Sequence, residues 1–184
     1  MKTYTIIGGV NGAGKSSLSG VLKTQKNLGY IIDVDKIAMT KKCSNLEAGK
    51  IAVSRISDYL KRSISFTQET TLSGVKTLDT VIRAKENGYF IRLFYVGLDT
   101  ADESIKRIAN RVEKGGHDIP TDDVVRRFDS RFKALTKILP YCDEVIFFDN
   151  DNGFTEVAEY KNGELVYKSE YKPDWLMELV NVLQ

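Results

Sequence analysis

The chain has 184 residues, 42% hydrophobic and 28% charged, with a net charge of +2. That balance predicts one soluble globular domain with a proper core, and it gives bulk electrostatics little hold on nucleic acid. No apolar run reaches the roughly 18 residues of a membrane helix, and Cys43 and Cys142 lack the spacing of a disulfide framework or a zinc site.

The elements alternate between strand and helix. The chain enters its first strand, Thr3–Ile7, with no leader before it, so a cytoplasmic location is expected. Gly9-Val10-Asn11-Gly12-Ala13-Gly14-Lys15-Ser16 follows, and then Leu18, Val21 and Leu22 fall on one helical face. A G-x-x-x-x-G-K-S motif between a buried strand and a helix N-terminus predicts a phosphate-binding P-loop. Gly9, Gly12 and Gly14 free the backbone to wrap an anion, with amides of Asn11, Ala13 and their neighbours pointing inward. Lys15 supplies charge to the β/γ-phosphates, Ser16 a hydroxyl to Mg²⁺, and Ser17 another polar group. ATP (or GTP) with Mg²⁺ is the expected ligand.

A second strand, Tyr30–Asp33, leads to a helix from about Leu46, capped by Ser44-x-x-Glu47. A third strand runs from β-prone Ile64-Ser65 through Phe66-Thr67-Gln68 to Glu69. The next helix carries Leu78, Val81 and Ile82 inward and stops at Asn87-Gly88. A fourth strand spans Phe90–Val96. Thr100-x-x-Glu103 caps a helix whose apolar stripe is Ile105, Ile108, Ala109 and Val112. After the Gly115–Pro120 turn comes a helix from Thr121 with Val124, Phe128, Phe132 and Leu135 inward. A fifth strand is Glu144–Phe148. Asn162-Gly163 marks a hairpin, and a last helix from Asp174 buries Trp175, Leu176, Leu179, Val180 and Leu183.

This order predicts a three-layer α/β P-loop NTPase fold: a five-stranded parallel sheet with helices on both faces, plus a C-terminal β-hairpin and helix. The whole chain, 1–184, reads as one domain, with lid helices at about 100–135 and the appended part at 154–184.

Ligands of open parallel sheets bind at the strand C-termini. There stand Asp33 and Asp35, Glu69 with Thr70, Thr71 and Ser73, Asp99, and Asp149. Asp35 is the candidate base for a substrate hydroxyl, with helix capping as the plain alternative for both aspartates. Glu69 is the candidate Mg²⁺-coupled acid beside Ser16. On the helix from Thr121, Arg131 falls within the apolar stripe, Arg127 on its edge and Arg126 opposite. An inward arginine needs an anionic partner, and phosphate is the natural candidate. Arg107 and Arg111 lie opposite the stripe of the preceding helix, which is either a solvated face or a lid face turned to the triphosphate. His117, the single histidine, fits a hinge as well as a base.

The P-loop, Ile32-Asp33-Val34-Asp35 and Phe66-Thr67-Gln68-Glu69-Thr70-Thr71-Leu72-Ser73-Gly74 together resemble the zeta-toxin-like P-loop kinases. Arg111-Val112-Glu113-Lys114-Gly115-Gly116-His117-Asp118-Ile119-Pro120, followed by Arg126-Arg127-Phe128, is similar to their small single-domain branch. The resemblance covers roughly residues 1–150. It implies an ATP-dependent kinase that phosphorylates a hydroxyl of a small molecule, with a UDP-sugar such as UDP-N-acetylglucosamine as the family's acceptor. It also implies Asp35 as the base, Arg111 as the lid arginine on the nucleotide, and an antitoxin-like protein partner. Two departures stand out. The helix stretch Ala52–Arg55 lacks the family's acceptor-facing glutamate, and a second lid arginine is replaced near His117. Arg127 or Arg131 would supply that charge.

Three other readings are open to the sequence: an ATPase or nucleotide switch with no acceptor, a kinase of polynucleotide 5′-hydroxyls, and a toxin-like module acting through a protein partner. A net charge of +2 with scattered lysines gives the polynucleotide reading little support.

Overall fold

The structure, a computed structural model, describes residues 1–151 and 153–184. Seven strands form one sheet in the order β2-β3-β1-β4-β5-β6-β7. They are β1 (Thr3–Gly8), β2 (Tyr30–Ile32), β3 (Phe66–Thr70), β4 (Phe90–Val96), β5 (Glu144–Asp149), β6 (Thr155–Lys161) and β7 (Glu164–Tyr167). The first five pair in parallel. The C-terminal hairpin is not an appendage, as the sequence suggested. β6 pairs antiparallel with β5 and β7 with β6, so the sheet is seven-stranded and mixed. The turn matches its sequence: Asn162 and Gly163 take φ of 54° and 87°, the left-handed pair of a tight hairpin.

The helices are α1 (Lys15–Leu22), α2 (Val34–Lys41), α3 (Asn45–Lys61), α4 (Val75–Glu86), α5 (Ala101–Glu113), α6 (Thr121–Asp129), α7 (Arg131–Ile138) and α8 (Asp174–Leu183). Strand alternation builds two cores. Tyr4, Ile6, Ile91, Leu93, Tyr95 and Phe147 pack on one side with residues of α3, α4, α7 and α8. Ile7, Phe94, Val96, Ile146 and Phe148 pack on the other with Leu18 and Leu22 of α1 and Phe128 of α6. Apolar residues on both faces of a strand are what a sheet covered on both sides requires.

Three local results differ from the sequence reading. The second strand stops at Ile32, and Asp33 becomes the N-cap of α2, accepting from the amides of Asp35 (3.0 Å) and Lys36 (3.3 Å). The sequence reading contained no α2. The helix from Thr121 breaks at Ser130 into α6 and α7, although the stripe Val124, Phe128, Phe132 and Leu135 stays buried across the break. On α5 the buried positions are Ser104 and Ile108, while Ala109 and Val112 are exposed. Of the expected stripe Ile108 is buried and Ile105 half-buried, and Ser104 takes the inward place expected of Ala109 and Val112. The Ser44–Glu47 capping box on α3 forms in both directions.

Helix α8 is fixed at the end of β4. Trp175 is fully buried; its backbone amide donates to Asp99 (2.8 Å) and its indole N–H to Asp149 (3.0 Å). These two strand-end carboxylates are thus consumed in holding α8. A Cβ on Gly97 would lie 2.0 Å from the Trp175 ring, so only glycine fits there.

Candidate active site

The P-loop connects β1 to α1 with Gly9, Gly12 and Gly14 at φ of 148°, 76° and 100°. Positive φ at these points is what turns successive amides toward one centre. Neighbours hold the loop tightly. A Cβ on Gly9 would sit 2.5 Å from the Val96 carbonyl, and one on Gly12 2.9 Å from the Ser104 carbonyl. Ser104 Oγ donates to the Asn11 carbonyl, Asn150 Nδ2 to the Ala13 carbonyl at 3.0 Å, and an Arg127 terminal nitrogen to Asn11 Oδ1 at 3.1 Å. Three elements, α5, α6 and the segment after β5, therefore set the loop's shape.

Lys15 crosses the loop and donates to the carbonyls of Gly9 and Val10, both at 2.9 Å. Burial pushes its ammonium down to about 8, against the pull of Glu69, Asp35 and Asp33, and Arg111 adds to the lowering. A desolvated cation is held where a polyphosphate would compensate its burial.

The register Ile7↔Glu69 and Gly8↔Thr70 sets the end of β3 beside the loop. Glu69 accepts from Ser16 Oγ through Oε2 and from Ser19 Oγ through Oε1, each at 2.6 Å. The two proposed metal residues are thus in direct contact. Hard oxygen donors of this kind suit Mg²⁺, which is commonly held by one or two protein oxygens plus substrate phosphates. Among the described residues no three His, Cys, Asp or Glu side chains gather as a fuller metal site.

A cleft of about 480 Å³ opens above the loop, lined by the P-loop, Asp33, Asp35, Glu69, Thr70, Thr71, Ser73, Arg107, Arg111, His117 and Arg127, among others. Asp35 stands in the first turn of α2, exposed, and its carboxylate makes no hydrogen bond among the described residues. Asp33 is the cap and Asp35 the free acid, which separates two roles the sequence left joined.

The arginines sort differently from their sequence assignment. Arg107 and Arg111 are half-buried and line the cleft. Arg107 pairs with Glu103 and reaches the Asn150 carbonyl at 3.0 Å. Arg111 donates to the His117 carbonyl at 2.6 Å, while its buried Nε–H has no acceptor among the described residues. Arg127 lines the cleft and Arg126 is exposed beside Asp123. Arg131 does not enter the cleft. It pairs with Glu178 of α8, donates to the Phe128 carbonyl at 2.9 Å, and lies 3.9 Å and 4.6 Å from the ring centres of Phe128 and Phe132. Its terminal nitrogens are held by a carboxylate and a carbonyl and its plane lies against two aromatic faces, while its buried Nε–H has no acceptor among the described residues. His117 is an exposed cleft residue that offers its carbonyl to Arg111. The sequence reading overlooked Asn150 and Ser104, whose contacts with the P-loop join residues 93 or more positions apart.

No family model matches the sequence. An uncharacterized protein of Haemophilus influenzae is 35% identical over 125 residues, which is 65% of this chain and 88% of that one. The two belong to one family. The fold of this chain is shared with the following solved structures. A chain of the AvrRxo1-ORF1:AvrRxo1-ORF2 complex solved with ATP superposes with a TM-score of 0.68 at 18% identity, over 100% of this chain and 63% of that chain. The chain therefore spans just under two thirds of that neighbour's length. A chain of the PezAT chromosomal toxin–antitoxin system of Streptococcus pneumoniae gives a TM-score of 0.63 at 16% identity, covering 100% of this chain and 84% of that one. No helix is long and apolar enough to cross a membrane among the described residues.

Proposed function

We propose that this chain is an ATP-dependent kinase that transfers the γ-phosphoryl group to a hydroxyl of a small molecule. The observation that carries this reading is the placement of Asp35. A carboxylate with no partner among the described residues faces the same cleft as the P-loop, Lys15 and three arginines. A hydrolase needs only a water-orienting group; an acid in the first turn of a neighbouring helix, unpaired among the described residues, also suits a hydroxyl acceptor.

In this reading the P-loop amides and Lys15 hold the β/γ-phosphates. Ser16 and Glu69 would hold Mg²⁺, which would neutralise charge on the phosphates. Asp35 orients the acceptor hydroxyl and takes its proton as the oxygen bonds to the γ-phosphorus and the bond from that phosphorus to the β–γ bridging oxygen breaks, releasing ADP. Arg111 and Arg127 face the phosphates from the lid and oppose the charge spread over their oxygens. Arg107, tied to Glu103 and Asn150, positions the lid against the P-loop. Such a site contributes chiefly by alignment and electrostatics. ATP as donor is favoured by the structural neighbour solved with it. A nucleotide sugar is the acceptor the family resemblance suggests.

The test is incubation of purified protein with ATP, Mg²⁺ and a panel of hydroxyl compounds, read by mass spectrometry. A product heavier by one phosphoryl group supports transfer. Free phosphate alone supports the ATPase reading. A second reading, action through a protein partner, draws on the AvrRxo1-ORF1:AvrRxo1-ORF2 complex and the PezAT toxin–antitoxin system. It predicts a co-purifying protein that blocks nucleotide exchange.

A further inference from the structure

The sheet ends on β7, and the alternation of hydrogen bonds along that strand fixes what its outer edge offers. The Lys168 N–H, just past β7, donates to the Val157 carbonyl at 2.9 Å, one step beyond the register Ala158↔Tyr167, Glu159↔Val166, Tyr160↔Leu165 and Lys161↔Glu164. In an antiparallel ladder every second residue bonds to the same neighbour. Glu164, Val166 and Lys168 therefore bond inward to β6, and Leu165 and Tyr167 turn their N–H and C=O groups outward. Among the described residues β7 has no strand on that side, and no loop bonds to the backbone of Leu165 or Tyr167. Side chains alternate in the same step. Leu165 packs on the core, and the Tyr167 hydroxyl reaches Met177 Sδ of α8 at 3.8 Å. Glu164, Val166 and Lys168 stand on the other face with Glu159 and Lys161. There Glu159 takes both Lys161 (2.6 Å) and Lys168 (2.8 Å), while Glu164 has no ion pair among the described residues. The Lys168 side chain stays 40% exposed, and Val166, between the two charges, is 44% exposed.

We propose that the β7 edge pairs antiparallel with the β7 edge of a second copy of this chain, about a two-fold axis through Val166. The register follows from Glu164-Leu165-Val166-Tyr167-Lys168, which is self-complementary. Leu165 and Tyr167 exchange backbone bonds with Tyr167 and Leu165 of the second copy. Val166 meets its own counterpart in the close, non-hydrogen-bonded pair, and Glu164 lies opposite Lys168 at both ends. Lys161, Glu164 and Lys168 of the second copy then fall in one row with alternating charge. A slip of two residues would set Glu164 or Lys168 against Val166 and lose both ion pairs. Natural edges are often guarded by a lysine along the strand. This one carries a β-branched apolar residue at its centre and flanks it with charges in an order that admits its own copy. The inference does not rest on the kinase reading.

An edge of about five residues buries well under the roughly 1,600 Å² of a standard interface, so micromolar association is expected. Sedimentation equilibrium of the full chain from about 5 to 500 µM reads it, and a monomer–dimer equilibrium should fall within that range. Glu164→Lys and Lys168→Glu should each weaken the dimer by about tenfold or more, because each sets two like-charged pairs across the axis. An equimolar mixture of the two variants should regain a dimer of near wild-type strength, since each contact again joins opposite charges. Lys168→Glu also loses the pair with Glu159, and recovery in the mixture excludes a folding defect as the cause of its weakening.

Val166→Lys changes an exposed side chain and should abolish the dimer by opposing two ammonium groups at the axis. A chain that stays monomeric across the whole range overturns the inference. A dimer that Val166→Lys leaves within about twofold also overturns it, and assigns the contact to another surface. So does a mixture of the charge variants that associates no more strongly than either variant alone.

Discussion

Ser16 Oγ donates to Glu69 Oε2 at 2.6 Å, across 53 positions of sequence. The contact exists because β1 and β3 are parallel neighbours in register, which sets the last turn of one strand beside the P-loop helix that follows the other. Glu69→Gln should keep the fold, since one serine can still donate to the amide oxygen while the other accepts from the amide nitrogen. It should raise the Mg²⁺ concentration for half-maximal activity by about tenfold or more. Magnesium titration of ATP turnover checks this, and chelation of the metal should abolish turnover in both proteins.

Lys15→Ala should remove turnover and weaken ATP binding. The lowered value of Lys15 also sets a pH window. Bound polyphosphate favours the ammonium, so ATP affinity should be full below about pH 8 and fall above it. For the free protein the sign is opposite. Above about pH 8 the unfolded chain holds a proton that the folded chain has lost, so this group makes stability rise with pH toward the ordinary lysine range. Calorimetric ATP binding across pH 6.5–9.5, with Lys15→Ala as the flat control, checks the first statement.

Arg127→Ala and Arg131→Ala should separate. Arg127 lines the cleft and contacts Asn11, so its loss should lower kcat with a small change in Tm. Arg131 is 8% exposed and joins α7 to α8 through Glu178. Its loss should cost about 2–3 kcal/mol of stability, with kcat for the folded fraction retained. Denaturant unfolding beside steady-state kinetics distinguishes the two.

Gly97→Ala should destabilise by about 2 kcal/mol or more, because the new Cβ collides with the buried Trp175 ring. Thermal unfolding reads the loss. The P-loop should feel it as well, since the Val96 carbonyl beside Gly97 packs on Gly9.

Where a feature is local, the sequence carried it. The P-loop glycines, the Ser44–Glu47 box and Asn162-Gly163 act within a few residues, and each folds as its chemistry demands. The Gly115-Gly116 pair is legible in hindsight. A Cβ on Gly116 would lie 2.5 Å from Arg111 Cγ, so the turn beds the arginine that faces the cleft. Helix α2 is hard to read because it is only eight residues long and buries a single residue, Ile37, so it carries no apolar stripe, and only the Asp33 cap marks its start. The stripe of α5 misled because its inward face is built on Ser104, whose hydroxyl serves the P-loop. Arg131 misled for the converse reason: the partner that makes its burial tolerable lies 47 residues away on α8. The hairpin's place in the sheet depended on β5 having a free edge, which no local pattern announces.

The most direct measurement is mass-spectrometric detection of a phosphorylated acceptor, with wild type and Asp35→Asn run side by side at saturating ATP and Mg²⁺. The account predicts a product from wild type, a rate lower by about a hundredfold or more in Asp35→Asn, and unchanged ATP affinity. Transfer by Asp35→Asn at the wild-type rate, or ATP loss yielding only free phosphate whatever acceptor is present, would contradict it.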